Sequence, residues 1–146
     1  MNKSTKDAVY YVCALIEQIG RTTKNRRADV IGYFSEKDIE RQLKLADINH
    51  CLPIEQVSGE LIEDYMIQEG SFDTVGECRY QVPSVLSIGR VCQRLIVNMA
   101  GNNPAKAVKD VFSSFISDEI SDFNSNVYYA NPDYLKKSYE ANHLLS

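Results

Sequence analysis

An all-α bundle of about seven helices is the fold this sequence predicts, on three observations. Apolar residues recur at three- and four-residue steps, cap-forming residues precede those stretches, and no segment alternates long enough to justify a sheet. The 146 residues suit one compact domain, or two helical halves sharing a core, at roughly 150 residues per domain. About two thirds of the unfolded chain's surface can be buried at this size, so no disulfide or metal staple is required.

The elements follow in order. Ser4-Thr5-Lys6-Asp7 has capping-box spacing, and Val9, Val12, Ile16 and Ile19 continue a stripe up to Gly20, which predicts a helix over 5–19. Thr22 to Arg27 is polar and unpatterned, hence a loop. A short helix from Arg27 to Phe34 presents Val30, Ile31 and Phe34. Ser35-Glu36-Lys37-Asp38 repeats the capping-box spacing and opens a helix with Ile39, Leu43 and Ala46 inward. Pro53 suits the first turn of the next helix, because its missing amide would be an orphan there. Ile54, Val57, Leu61, Tyr65 and Met66 form that stripe, and Gly70 ends it.

Residues 70–82 lose the period and contain two glycines. They mark the boundary if the single domain over 1–146 divides into 1–70 and 83–146, with 71–82 as linker; a short extended piece near Tyr80 and Val82 is the nearest approach to a strand. After Pro83-Ser84, Val85, Ile88, Cys92, Leu95, Ile96 and Met99 share one face. Asn103-Pro104 then opens what reads as the longest helix, with Val108, Val111, Phe112, Phe115, Ile116, Ile120 and Phe123 on a broad face. Asn131-Pro132-Asp133 starts a last helix that frays at Leu144-Leu145.

Composition excludes several classes. With 44% hydrophobic and 25% charged residues the chain is neither disordered nor collagen-like. No apolar run approaches a membrane span and no apolar signal core follows the N-terminus, so the expected setting is cytoplasmic, away from membranes. The net charge of −4 weighs against a surface that tracks phosphates. Charge is nevertheless segregated. Residues 1–27 carry six basic and two acidic side chains, residues 28–80 four and twelve, and residues 81–146 six and six. The plainer expectation is that the basic end and the acidic middle pair within the fold; the sharper one makes a lobe a docking surface for an oppositely charged protein.

Reactive chemistry is sparse. Cys13, Cys51, Cys78 and Cys92 lie 38, 27 and 14 positions apart, which is not a zinc pattern. Cys13 and Cys92 fall on apolar stripes and read as small buried hydrophobes. His50-Cys51 is the one adjacent reactive pair, in an inter-helix loop, but a nucleophile and base must meet side chain to side chain, so His50 reads rather as a cap for helix ends or a partner for a backbone carbonyl. No His-x-x-x-His, Walker loop or Gly-x-Gly-x-x-Gly occurs, so no metal, nucleotide or other cofactor is expected. Glu60, Glu63 and Asp64 on one helix, and Asp118, Glu119 and Asp122 on another, read as solvated faces. Arg21, Lys24, Arg26 and Arg27 before two short helices have the outline of a helix-turn-helix reader. Glu36, Asp38 and Glu40 would face the DNA backbone, leaving only the loop cations for phosphates. Phe123, Tyr128, Tyr129 and Tyr134 fall within twelve residues, and Tyr10-Tyr11 pair on the first helix; tyrosines suit interfaces or a tight core junction.

Over residues 5–69 the chain resembles a small bacterial family of helical domains without an assigned activity, usually encoded beside an ADP-ribosyltransferase-like toxin. The resemblance lies in Tyr10 to Ile19, Ala28-Asp29-Val30-Ile31, Asp47-Ile48-Asn49-His50 and Ile62-Glu63-Asp64-Tyr65. The tract from Ser113 to Phe123-Asn124, Tyr128-Tyr129 and Pro132-Asp133-Tyr134-Leu135 is similar to helical partners in such neighbourhoods, whereas the basic tract at Arg21–Arg27 departs from the pattern. An antitoxin- or immunity-like role is what the resemblance implies. The leading expectation is therefore a non-enzymatic adaptor that occludes a partner protein, a cognate toxin or enzyme, with Tyr128, Tyr129, Tyr134, Glu60, Glu63 and Asp64 as binding residues. The alternative is a DNA-associated regulator using Arg21, Lys24, Arg26 and Arg27. An enzyme centred on His50 and Cys51 comes third, and a homodimer is compatible with each.

Overall fold

Nine α-helices and one turn of 3-10 helix make up the computed structural model, which describes residues 1–146 and contains no strand. In chain order they are α1 (Lys3–Thr23), α2 (Arg27–Ile31), α3 (Glu36–Asn49), α4 (Ile54–Asp64), α5 (Thr74–Glu77), α6 (Val85–Met99), α7 (Pro104–Phe112), α8 (Phe115–Ser121) and α9 (Pro132–Ala141), with the 3-10 turn at Val127–Tyr129. The bundle is built on α1 against α6, the most extensive helix pair. Their apolar stripes, Val9, Val12, Cys13, Ile16 and Ile19 on one and Ile88, Cys92, Leu95 and Ile96 on the other, are all buried. The two helices approach tightly at Gly89, where a Cβ would lie 3.0 Å from the Ala14 Cβ and 3.1 Å from its backbone. Helices α3 and α4 also cover α1, and α7 and α9 cover α6. One hydrophobic cluster of 26 residues runs from Val9 to Leu135 through both halves of the chain.

Local chemistry sets most boundaries as expected. Ser35 and Asp38 form a reciprocal capping box on α3, Ser84 caps α6, and Asn103 and Asn131 cap α7 and α9 just before their prolines. Several boundaries differ. Helix α1 is capped by Asn2, whose side chain accepts the Thr5 amide at 2.8 Å, and not by Ser4. It runs through buried Gly20 and ends at Lys24, which adopts φ 56°. Helix α4 stops at Asp64, six residues before Gly70; Met66 turns left-handed at φ 51° and is 74% exposed, so it leaves the buried stripe.

The single long helix expected after Pro104 is two, α7 and α8, broken at Ser113-Ser114. There the Ser114 hydroxyl bonds the Val111 carbonyl at 2.6 Å, giving the backbone an alternative to the helical ladder. With α5 this makes nine helices rather than seven. The 70–82 segment contains the one-turn helix α5 and is held at both ends. The Gly70 and Phe72 amides donate to Thr23 and Lys24, and the Arg79 amide donates to Asn124. The C-terminus is tied down too, since Tyr134 Oη donates to the Leu145 carbonyl at 2.8 Å and Leu144 packs on the core.

Candidate functional site

Residues 21–27 are the end of α1, a short turn and the start of α2, and two of their four cations, Arg21 and Arg27, are turned into the protein. Arg27, 2% exposed, donates to Glu17 at 2.8 Å and to the Ser117 carbonyl and hydroxyl at 2.8 and 3.0 Å. Arg21 binds the other Glu17 oxygen at 2.7 Å, donates to the Pro83 carbonyl and lies over the Phe123 ring. Arg26 forms a two-point pair with Asp118. Burial opposes the charge on Arg27, but the Glu17 carboxylate beside it favours the charged form, and its pKa is raised. The segment therefore locks α1, α2 and α8 together, and only Lys24 keeps an unpartnered cationic group. Three of the four cations expected to reach phosphates already have carboxylate partners within the chain, the Arg26–Asp118 pair at its surface.

No ion pair joins the basic end to the acidic middle; Arg26 feels Asp29 only at longer range. Glu17 and Asp118, which take these arginines, both lie outside residues 28–80. None of the twelve carboxylates within 28–80 makes an ion pair. Helix α4 turns Val57, Ser58 and Leu61 inward. Its outer side and the following turn expose Glu55, Glu60, Glu63, Asp64 and Glu69, beside the protruding Met66.

The tyrosines divide. Tyr134 spends its hydroxyl on the C-terminus and Tyr128 packs half-buried, edge-on, against Phe123. Tyr129 is 68% exposed and stacks edge-on upon Tyr128, beside a depression of about 350 Å³ that also includes Arg94. Of the three, Tyr129 alone presents most of its ring to solvent.

His50 meets the carbonyl expected of it: Nδ1 lies 3.0 Å from the Ala46 oxygen. A carbonyl can only accept, so Nδ1 is the donor, and Nε2 lies 3.9 Å from Cys51 Sγ. Sequence neighbours thus do touch here, but Cys51 is exposed and no third side chain orients the pair. Cys13 and Cys92 are buried as expected; burial pushes both thiols up, Cys92 to about 11. No group of three His, Cys, Asp or Glu side chains converges in a metal-binding arrangement.

One feature was not singled out by sequence reasoning. Helices α3 and α4 pack on α1 but scarcely on α6, leaving between them a cleft of about 580 Å³ floored by α1. Arg90 lines it, stacked on Tyr10 with its Cζ 3.8 Å from the ring centre. The sequence signal exists: α6 contains no carboxylate, so neither Arg90 nor Arg94 has a helical partner.

No helix is long and apolar enough to cross a membrane. No family model, curated protein or solved structure matches the chain.

Proposed function

We propose that the chain is a non-enzymatic binding protein that docks a basic protein partner on the outer face of α4. The observation that carries this reading is the set of twelve carboxylates in residues 28–80 without one ion pair among them. Like charges at Glu60 and Glu63, three positions apart on one helix, repel one another. The fold offers them no cation, so their field acts on whatever approaches, speeding association with a positive surface and disfavouring a negative one. Met66, held out beside Asp64, supplies the apolar anchor that charge alone lacks. In the narrower form implied by the resemblance of residues 5–69, the partner is a toxin or enzyme whose active surface is covered, as by an antitoxin or immunity protein.

The test is parallel capture from extract of the encoding organism by the wild-type chain, the Glu60→Lys/Glu63→Lys/Asp64→Lys variant and Met66→Asp. The expected result is a defined basic protein retained by wild type at about 50 mM salt, weakened by several-fold higher salt, lost from the charge-reversal variant and weakened by Met66→Asp. Equal capture by all three chains, or no protein held at low salt, overturns the reading.

A further inference from the structure

We propose that the cleft between α6 and the α3–α4 pair is a binding site for a small amphipathic carboxylate, with Arg90 gripping the anion. This site lies apart from the acidic face of α4 and does not depend on the function proposed for it.

The cleft has the size and character of a ligand pocket. Its volume is about 580 Å³ and eight of its twelve lining residues are hydrophobic, within the few-hundred to thousand Å³ range of mostly apolar small-molecule sites. Tyr10, Tyr11 and Ala14 of α1 contribute to its floor, while Leu52 and Leu86, 40% and 55% exposed, line it from the α3–α4 and α6 sides. Such leucines left in water at a concave site gain by covering an apolar body.

Two polar groups there have no partner within the protein. Arg90 makes no hydrogen bond and no ion pair; its face is occupied by the Tyr10 ring. Stacking uses the face of the guanidinium and leaves its edge donors free, the arrangement that takes a carboxylate by two parallel bonds. Tyr11 Oη, shielded from solvent, is likewise unpaired.

The other titratable groups on the walls leave this preference intact. Asp7 is paired with Lys3 at 3.0 Å, Asp47 is exposed to screening water, and His50 is tied through Nδ1 to the Ala46 carbonyl. Arg90 is the one cation in the lining, and it has no counter-ion.

The experiment is an NMR titration of the full chain with octanoate, 1-octanol and octylamine. Concentrations reach about 3 mM, within the affinity range of small fragments. Octanoate is expected to shift the Ala14, Ala46 and Leu86 signals and the Arg90 Nε–H, with an affinity at least tenfold above that of octanol and octylamine. Arg90→Gln should bring octanoate down to the level of octanol while leaving octanol unchanged. Leu86→Glu puts a carboxylate one helical turn before Arg90, where it pairs with the guanidinium and should weaken octanoate by competing for it. Absence of shifts in the cleft, equal shifts by octylamine, or full octanoate affinity in Arg90→Gln overturns the proposal.

Discussion

Glu17 is the residue on which the N-terminal third is organised. It is 4% exposed and takes one arginine on each oxygen, a buried Arg–Glu–Arg triad. Such a triad gains little over an apolar core, yet breaking it is expensive, since a lone buried charge remains. Arg27 is under additional strain of satisfaction, because its Nη2 is buried with no acceptor. Arg27→Met should therefore cost about 3–5 kcal/mol in urea unfolding. Combining it with Glu17→Leu should return part of that loss, with a coupling of about 1–3 kcal/mol in the double-mutant cycle; strict additivity would mean that the two side chains do not act as a pair. Asp38 shows the exposed counterpart. The Ser35 amide donates to its carboxylate at 2.9 Å and holds its pKa below the ordinary 3.8. A folded pKa below the unfolded one means stability that is complete above the ordinary carboxylate range and is lost as pH falls through the folded value. Asp38→Asn should flatten that part of the acid limb of a stability-versus-pH curve; an unchanged slope between about pH 4 and pH 2 counts against the capping role.

Glycine separates two kinds of helical position. Gly89 of α6 lies where a Cβ would press on the Ala14 backbone, which cannot yield as a flexible side chain can. Gly89→Ala should lower stability by about 1–3 kcal/mol by forcing α1 and α6 apart. Gly59 of α4 has nothing within 4 Å of its Cβ position, so Gly59→Ala should raise stability by about 0.5–1 kcal/mol through helix propensity alone. Thermal or denaturant midpoints of the two variants check the pair, and a shift of the same sign in both would refute the assignment. The asymmetry was invisible in the sequence, where each glycine merely interrupts a helical stripe. What the sequence does convey is local: the Ser35–Asp38 box, the Asn-Pro starts of α7 and α9, and the stripe of α6 are all spelled within a few residues. What it does not convey depends on how the chain packs and turns. Gly20 reads as a stop until α1 is seen to continue so that Arg21 reaches Glu17 and the Pro83 carbonyl. Met66 belongs to the α4 stripe until the left-handed turn after Asp64 throws it outward. The same holds for function: the excess acid of 28–80 could be counted in advance, whereas its lack of ion pairs, and the cleft around Arg90, exist only in the packed bundle.

For the molecule as a whole, the distribution of charge and the distribution of core follow different boundaries. Uncompensated acid is concentrated in residues 28–80, but the apolar cluster joins α1 to α6 across the whole chain. A hinge at 71–82 would have to separate these two helices, which form the largest contact in the fold, and it would also have to release the Gly70, Phe72 and Arg79 amides from their acceptors. The cysteines report on this directly. Cys51 is exposed and Cys78 half-buried, while Cys13 on α1 and Cys92 on α6 are each 1% exposed, with their thiols raised in pKa by burial. Thiol labelling at neutral pH should modify Cys51 at once and Cys78 next. Cys13 and Cys92 should then follow together, at one rate whose dependence on urea equals that of global unfolding, because neither sulfur is reached until α1 and α6 part. Resolving the two by mass spectrometry after timed quenching makes the comparison quantitative. If Cys92 labels in conditions where Cys13 stays protected, the C-terminal half opens by itself, and the shared core does not bind the chain into a single cooperative unit.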